Sequence, residues 1–191
     1  SYPPAVRTGH HLIKRLALQH AAELAAKNEP GPALMVVERL IEQEPENLSA
    51  WRYWLELQAI LGHSQQALEE VRKRFSAKNR PDLTWYLEAL ALTYVQPPRY
   101  FSRAKKLLEK ALNIDPQVPF YHQTLGWLTE QEAFRQNRID LYSRAADHYE
   151  TALSLLDAER QPMEFADLLL NLGNVHLRLR NYEQAWQYYH R

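Results

Sequence analysis

The sequence predicts an all-α fold, a solenoid of consecutive antiparallel helix pairs. Nine of its eleven prolines fall between segments in which apolar residues follow helical spacing, and a proline inside a helix costs about 3 kcal/mol or more. No segment alternates apolar and polar residues over the length of a strand. A similar helix-pair pattern recurs along the chain, which is typical of a solenoid whose pairs bury their apolar faces on their neighbours.

The breaks between apolar segments give the expected helices. Prolines mark most of the breaks, while Gly62 and the polar stretch 136–138 mark two others. In chain order the expected helices are 10–27, 32–44, 48–61, 65–78, 83–94, 101–112, 119–135 and 139–156, followed by a fifth pair that begins near 163 and runs to 191.

The composition excludes several classes of function. Lysine plus arginine and aspartate plus glutamate number 23 each, so no net charge draws the chain to nucleic acid or to an anionic membrane. The absence of cysteine excludes disulfides, thiolate catalysis and cysteine-ligated zinc. No apolar run approaches the roughly 20 residues of a membrane span, so we expect no direct membrane insertion. No targeting signal is present, and the compartment is not predicted.

An alanine recurs at the same place in the second helix of each pair. Aligning Ala33, Ala67, Ala104, Ala145 and Ala185 gives spacings of 34, 37, 41 and 40 residues. Around these alanines the chain resembles the tetratricopeptide repeat (TPR) family, whose unit of about 34 residues carries the pattern W-x2-L-G-x2-Y, A-x3-F and P. The resemblance covers roughly 10–191 and implies a right-handed superhelical solenoid of about five repeats.

The fifth copy carries the pattern most fully, with Leu169, Leu172 and Gly173 in its first helix and Tyr189 in its second. A glycine in the middle of a helix costs about 1 kcal/mol relative to alanine. We therefore predict that the partner helix of the pair approaches closely at Gly126 and at Gly173.

The repeat register predicts the organisation of the chain. After a tail at 1–9, a single solenoid at 10–191 is expected, with repeats at 10–47, 48–83, 84–118, 119–165 and 166–191. The third spacing, 41 residues from Ala104 to Ala145, exceeds the 34-residue unit by seven, which is close to two turns at about 3.6 residues per turn. One extra turn on each helix keeps both apolar faces in register, so we expect a hairpin that protrudes at 133–142.

No residue pattern predicts a catalytic, metal or cofactor site. The eight histidines include no HExxH motif and no pair with convincing ligand spacing. Glu69 and Glu70 precede Lys73 and Arg74 by four residues, the spacing of surface ion pairs, and they offset the basic run at 72–74. No P-loop or glycine-rich dinucleotide motif is present. We therefore expect no enzyme activity, no metal, no cofactor and no nucleic-acid partner.

In the resembled family, the first helix of each repeat lines a concave groove that binds a peptide or protein segment. Carried over by register, the resemblance places eleven residues of this chain in the groove. They are Arg52, Tyr53 and Glu56 of the second repeat, Trp85, Glu88 and Leu92 of the third, Phe120, Gln123 and Trp127 of the fourth, and Asn171 and Asn174 of the fifth. Aromatic rings beside amide donors suit a peptide or a helix. The alternative is that the two tryptophans of this set pack only between neighbouring repeats.

The sequence thus predicts a non-catalytic scaffold whose partner is a protein or peptide. A competing interpretation makes the chain a structural or spacer segment of a larger multidomain or membrane-associated assembly protein, with contacts through the fourth hairpin or end-to-end packing of repeats. Tyr182, Trp186, Tyr188 and Tyr189 give the last helix an apolar surface, although a terminal repeat needs a polar outer face. That surface predicts further chain beyond the last helix, or self-association through the C-terminal repeat.

Overall fold

The computed structural model describes the backbone of residues 4–75 and 80–191 and the side chains of residues 12–75 and 80–191. In these ranges the chain forms helices and no strand, so the all-α prediction is confirmed. The helices are α1 (Pro4–Ala26), α2 (Pro30–Gln43), α3 (Leu48–Ile60), α4 (Ser64–Arg74), α5 (Pro81–Tyr94), α6 (Phe101–Ile114), α7 (Pro119–Gln136), α8 (Ile139–Leu155), α9 (Pro162–Arg178) and α10 (Tyr182–Tyr189). Two compact units, 1–100 and 101–191, contain α1–α5 and α6–α10 respectively.

Two helix ends differ from the prediction. Residues 4–9, expected in a tail, belong to α1, which begins at Pro4 because a proline is well tolerated in the first turn of a helix. Helix α4 ends at Arg74 rather than near 78, because the backbone of Phe75 is extended, with φ −106° and ψ 115°. The Phe75 ring packs edge-on against Trp51, with 5.1 Å between ring centroids. Residues 1–3 and 76–79 lie outside the described residues.

Local sequence signals account for most helix starts. Helices α2, α5, α7 and α9 each carry a proline in their first positions, where the missing N–H removes no helical hydrogen bond. Helix α3 follows Asn47, whose Oδ1 accepts a hydrogen bond from the backbone N–H of Ala50 at 3.0 Å. Such a cap contributes about 1 kcal/mol and stabilises the first turn of α3.

Four of the turns that join helices share one geometry. Asn28, Gly62, Asn137 and Arg180 have left-handed backbones, with φ between 53° and 78°. In each turn the next N–H donates to the carbonyl five residues earlier, at 2.8–3.0 Å, as in a Schellman cap. Glycine and asparagine adopt this conformation readily, whereas a longer side chain such as that of Arg180 is disfavoured there.

The core of the N-terminal unit is built around Trp51 of α3. Successive helices of this unit pack on each other, and α3 also packs on α5. Trp51 is almost completely buried, and its ring meets Trp54 edge-on with 5.4 Å between centroids. Its Nε1–H donates to the carbonyl of Pro45 at 2.8 Å. This side chain therefore ties the segment that follows α2 to the centre of the unit.

In the C-terminal unit, each helix packs on the next from α6 to α10, and the close approach predicted at the two glycines is confirmed. A Cβ added to Gly126 would lie 2.9 Å from the ring of Tyr149 and 3.3 Å from the carbonyl oxygen of Ala145. A Cβ added to Gly173 would overlap the ring of Tyr189. Only a residue without a side chain allows the rings to lie so close to the first helix.

The elongation of the fourth hairpin is also confirmed, but its exposed end is 134–140 rather than 133–142, since Leu141 and Tyr142 are buried. Helices α7 and α8 span 18 and 17 residues, whereas α5 and α6 span 14 each. Every side chain from 134 to 140 is exposed, while Ala133, one residue earlier, is completely buried. The end of this hairpin therefore extends beyond the packed core of its unit.

Candidate functional site

The predicted groove residues of the N-terminal unit lie on α3 and α5. On α3, Arg52 and Tyr53 are half-buried and Glu56 is exposed. The charges of Arg52 and Glu56 reach α5: burial raises the pKa of Tyr94 to about 12, the Glu56 carboxylate raises it too, and the Arg52 guanidinium opposes them. Tyr94 therefore stays protonated at neutral pH, beside a carboxylate and a guanidinium that could meet polar groups of a ligand.

On α5, two of the three predicted residues reach the surface. Trp85 and Glu88 are half-buried, whereas Leu92 lies in the core. The Oε1 atom of Glu88 accepts hydrogen bonds from the guanidinium of Arg72 on α4, at 2.7 Å from Nη2 and 3.2 Å from Nε. The Glu88 carboxylate is thus held inside the unit, and a ligand would have to share it with Arg72.

The predicted residues of α7 are mostly inside the protein. Phe120 and Gln123 are buried and Trp127 is half-buried. The Trp127 ring meets Phe101 of α6 edge-on with 5.3 Å between centroids, and it also packs against the core of the C-terminal unit. Packing between helices therefore accounts for part of Trp127, and only its remaining surface is open to a ligand.

Helix α9 carries the most accessible part of the predicted site. Asn171 is half-buried and Asn174 is exposed, and the Oδ1 atom of Asn174 accepts a hydrogen bond from the hydroxyl of Tyr189 at 2.8 Å. Leu170 and Leu177 are 54% and 45% exposed. Residues four and seven apart share a helix face, so these leucines lie on either side of Asn174. We call Leu170, Asn171, Asn174 and Leu177 the α9 surface.

No protein-family model matches the chain. A curated relative, the TPR repeat-containing protein PA4667 of Pseudomonas aeruginosa, is 24% identical over 127 residues. The match covers 65% of this chain and 20% of the relative, so the chain spans about a fifth of the length of that protein.

Solved structures resemble the chain over most of its length. TTC0263, a thermophilic TPR protein of Thermus thermophilus, matches with a TM-score of 0.61 and 17% identity, over 93% of this chain and 88% of that one. MamA matches with 0.53 and 14%, over 89% and 90%, and pilF of Pseudomonas aeruginosa with 0.52 and 16%, over 95% and 76%. The chain has the tetratricopeptide repeat fold. At such identities the likeness establishes the fold alone.

The TPR fold places further apolar residues beside the predicted ones. Ile60 lies seven residues after Tyr53 on α3 and is 61% exposed, and Leu170 and Leu177 flank the predicted asparagines of α9. Each of the three lies on the helix face of a predicted groove residue, which helical spacing gives, whereas their exposure is given by the packing around them. Both units therefore present aliphatic side chains next to polar ones on helix faces that carry predicted groove residues.

In the residues that the structure describes, no group of three or more histidine, aspartate or glutamate side chains is arranged to hold a metal ion. His122 and His148, on α7 and α8, have ring centroids 6.2 Å apart. The Nε2–H of His122 donates to the carbonyl of Pro116 at 2.9 Å, which assigns that ring a structural contact. No described helix combines the length and the apolarity that crossing a bilayer requires.

We expect the C-terminal unit to lose stability as the pH falls from about 6.5 toward 4. Burial lowers the pKa of His148 to about 4, and the nearby His122 and Arg144 lower it as well, whereas the unfolded value is about 6.5. Because the folded pKa is depressed, the stabilisation is complete above about 6.5 and is lost as protons bind the unfolded chain preferentially. Burial also lowers the pKa of His176, which acts in the same direction.

Urea unfolding followed by circular dichroism between pH 7 and pH 4 tests this expectation. The His148→Gln variant should show a smaller fall in the urea midpoint than the unaltered chain, because it lacks the titrating ring. A change of the exposed His63 to glutamine serves as the control and should leave the pH profile as it is. Identical profiles for the His148 variant and the unaltered chain would contradict the expectation.

Proposed function

We propose that the chain is a non-catalytic scaffold that binds an apolar segment of a protein or peptide on the first-helix faces of its repeats. The observation that carries the proposal is the α9 surface, where two exposed leucines flank two asparagines on one helix. Burying an exposed leucine stabilises a complex by up to about 1.5–3 kcal/mol, and the asparagine amides can bond the backbone of the bound segment. Exposed apolar side chains rimmed by polar ones are typical of interaction sites.

The N-terminal unit supports the same proposal with a second surface. Tyr53, Glu56 and Ile60 lie on one face of α3, since they are three and seven residues apart, and none of them is fully buried. An aliphatic group beside a carboxylate and a phenol would suit a segment with an apolar anchor and a donor group next to it. Of the eleven predicted groove residues, we omit Leu92, Phe120 and Gln123 from the contact surface, because burial in the chain leaves them little area to offer a ligand.

The non-catalytic part of the proposal is supported by the kind of proteins that share the fold. The curated relative and the matching solved structures include proteins described as TPR proteins.

Site-specific photo-crosslinking tests the proposal. A benzophenone side chain placed at position 170 or 177 should form a discrete adduct with the same partner segment, identified by digestion and mass spectrometry. Ile114 on α6 is a matched control, because it is 51% exposed but does not lie on any helix that carries a predicted groove residue. Leu170→Ser should weaken binding of the identified segment by about tenfold, equivalent to about 1.4 kcal/mol.

The outcome of this experiment also separates the alternatives. Adducts of equal yield at position 114, or no adduct at 170 and 177, would contradict a binding site on α9. Adducts of twice the chain mass would favour self-association instead, for which the exposed Tyr182 and Trp186 of α10 provide an apolar surface.

A further inference from the structure

The ends of the two C-terminal hairpins form one exposed surface. Helix α8 packs on α9, so the turn after α7 and the turn after α9 lie at the same end of their unit. The guanidinium carbon of Arg178 lies 5.9 Å from the centroid of the Phe134 ring, which joins the two turns directly. We call residues 134–140 and 178–183 the tip surface.

The tip surface exposes two large apolar side chains. Phe134 is 65% exposed and Ile139 is 68% exposed, although each would gain about 1.5–3 kcal/mol from full burial. They occupy the extension of the fourth hairpin beyond the packed core, where a shorter hairpin would have no residues at all. Their exposure indicates a contact with another molecule.

The tip surface is also basic in a chain of zero net charge. Its two segments contain four arginines against one aspartate and one glutamate, a surplus of two positive charges. Asp140 neutralises Arg138, with two hydrogen bonds at 3.1 Å and 2.5 Å. Burial raises the pKa of Glu130, whereas the hydrogen bond from Tyr149 and the nearby Arg178 guanidinium lower it. Arg178 therefore lies close to the Glu130 carboxylate. Within the described residues Arg135 and Arg180 make no ion pair.

The positions of these arginines are only partly explained by the helices themselves. Arg135 and Arg178 stand in the last turns of α7 and α9, where a cation offsets the helix dipole. Arg180 lies in a turn with a φ of 59°, a conformation that Gly62 supplies in the second hairpin. The fold alone would favour glycine at this position, so its positive charge requires another explanation.

We propose that the tip surface binds an acidic amphipathic helix of a partner protein. The apolar face of that helix would cover Phe134 and Ile139, and its carboxylates would pair with Arg135 and Arg180. Two charge-assisted contacts of this kind add specificity and association rate to an apolar anchor. The site shares no residue with the α9 surface, so it goes beyond the proposed function and does not depend on it. A surplus of only two charges, with aliphatic and aromatic groups between them, favours a protein over a nucleic acid or a lipid surface.

Peptide display on the purified chain tests the inference. The library consists of peptides of about 18 residues, long enough for a helix, with apolar residues at helical spacing and all other positions random. Selected peptides should be enriched in aspartate and glutamate, and their affinity should fall with increasing salt. Phe134→Ser, and Arg135→Gln combined with Arg180→Gln, should each weaken their binding by about tenfold or more.

Matched controls distinguish this site from the α9 surface and from general stickiness. Ile114→Ser and Lys106→Gln remove an exposed apolar group and an exposed charge on α6, and both should leave the affinity unchanged. Recovery of no acidic peptides would overturn the inference. Acidic peptides that lose affinity with Leu170→Ser but not with Phe134→Ser would overturn it too, while supporting the α9 surface. Capture of phosphatidylglycerol vesicles or of a DNA oligomer in place of acidic peptides would overturn it by assigning the tip to a different class of ligand.

Discussion

Replacement of Trp51 by alanine is expected to lower the free energy of unfolding of the N-terminal unit by about 4–5 kcal/mol. Removing a buried tryptophan costs about 3–5 kcal/mol through lost transfer energy and the cavity that remains. The substitution also removes the hydrogen bond to the carbonyl of Pro45 and the edge contacts with Trp54 and Phe75. Because the total stability of a domain is about 5–15 kcal/mol, this one change should leave the unit close to unfolding.

Urea denaturation followed by circular dichroism at 222 nm measures the effect. Trp51→Phe is the matched control, since a phenylalanine ring refills much of the cavity and only the hydrogen bond and the smaller area are lost. We expect the phenylalanine variant to retain more than half of the stability that the alanine variant loses. A loss below about 2 kcal/mol for the alanine variant would show that the surrounding helices collapse into the space, contrary to a rigid core around this side chain.

Gly126→Leu is expected to destabilise the C-terminal unit by about 2 kcal/mol. Leucine improves helix propensity by up to about 1 kcal/mol, but its Cβ alone would press on the ring of Tyr149 at 2.9 Å and on a backbone oxygen at 3.3 Å. Tyr149 is completely buried, and its hydroxyl donates to Glu130 at 2.8 Å, so the ring cannot turn aside without breaking that bond. Overpacking of this kind costs about 1–3 kcal/mol and occasionally more.

Gly173→Leu is the control in the same unit. There the obstructing ring belongs to Tyr189, which is partly exposed and can swing into solvent at the loss of one hydrogen bond to Asn174. We expect a cost of about 1 kcal/mol or less. Thermal unfolding of both variants compares the two sites, and equal losses would mean that the burial of the facing ring does not decide the outcome.

Features that depend on local sequence were predictable, and the prolines of α2, α5, α7 and α9 show why. A residue without an N–H limits a helix wherever it occurs, so the helix count and most boundaries follow from the sequence. The length of the fourth hairpin follows from the alanine spacing, because seven extra residues correspond to about one added turn on each helix. Phe75 shows the limit: its extended backbone accompanies a contact with Trp51, and helix propensity carries no information about that contact.

Depth of burial was not predictable from the repeat register. The register sets the direction in which Leu92, Phe120 and Gln123 point from their helices, but neighbouring side chains decide how much of each remains accessible. The same register also includes Ile60, Leu170 and Leu177, whose exposure likewise depends on what packs beside them. The helix face of each predicted groove residue was therefore available from the sequence, whereas its accessible area required three-dimensional packing.

Arg180 shows how stability and recognition can conflict at one position. A non-glycine residue in the left-handed conformation costs roughly 1 kcal/mol or more, so a redesign that maximises stability would place glycine at the φ of 59°. That redesign would also halve the unpaired positive charge of the tip surface. Stability-guided engineering of this chain should therefore leave position 180 unchanged, because a variant selected for its melting temperature alone would fold better and recognise less.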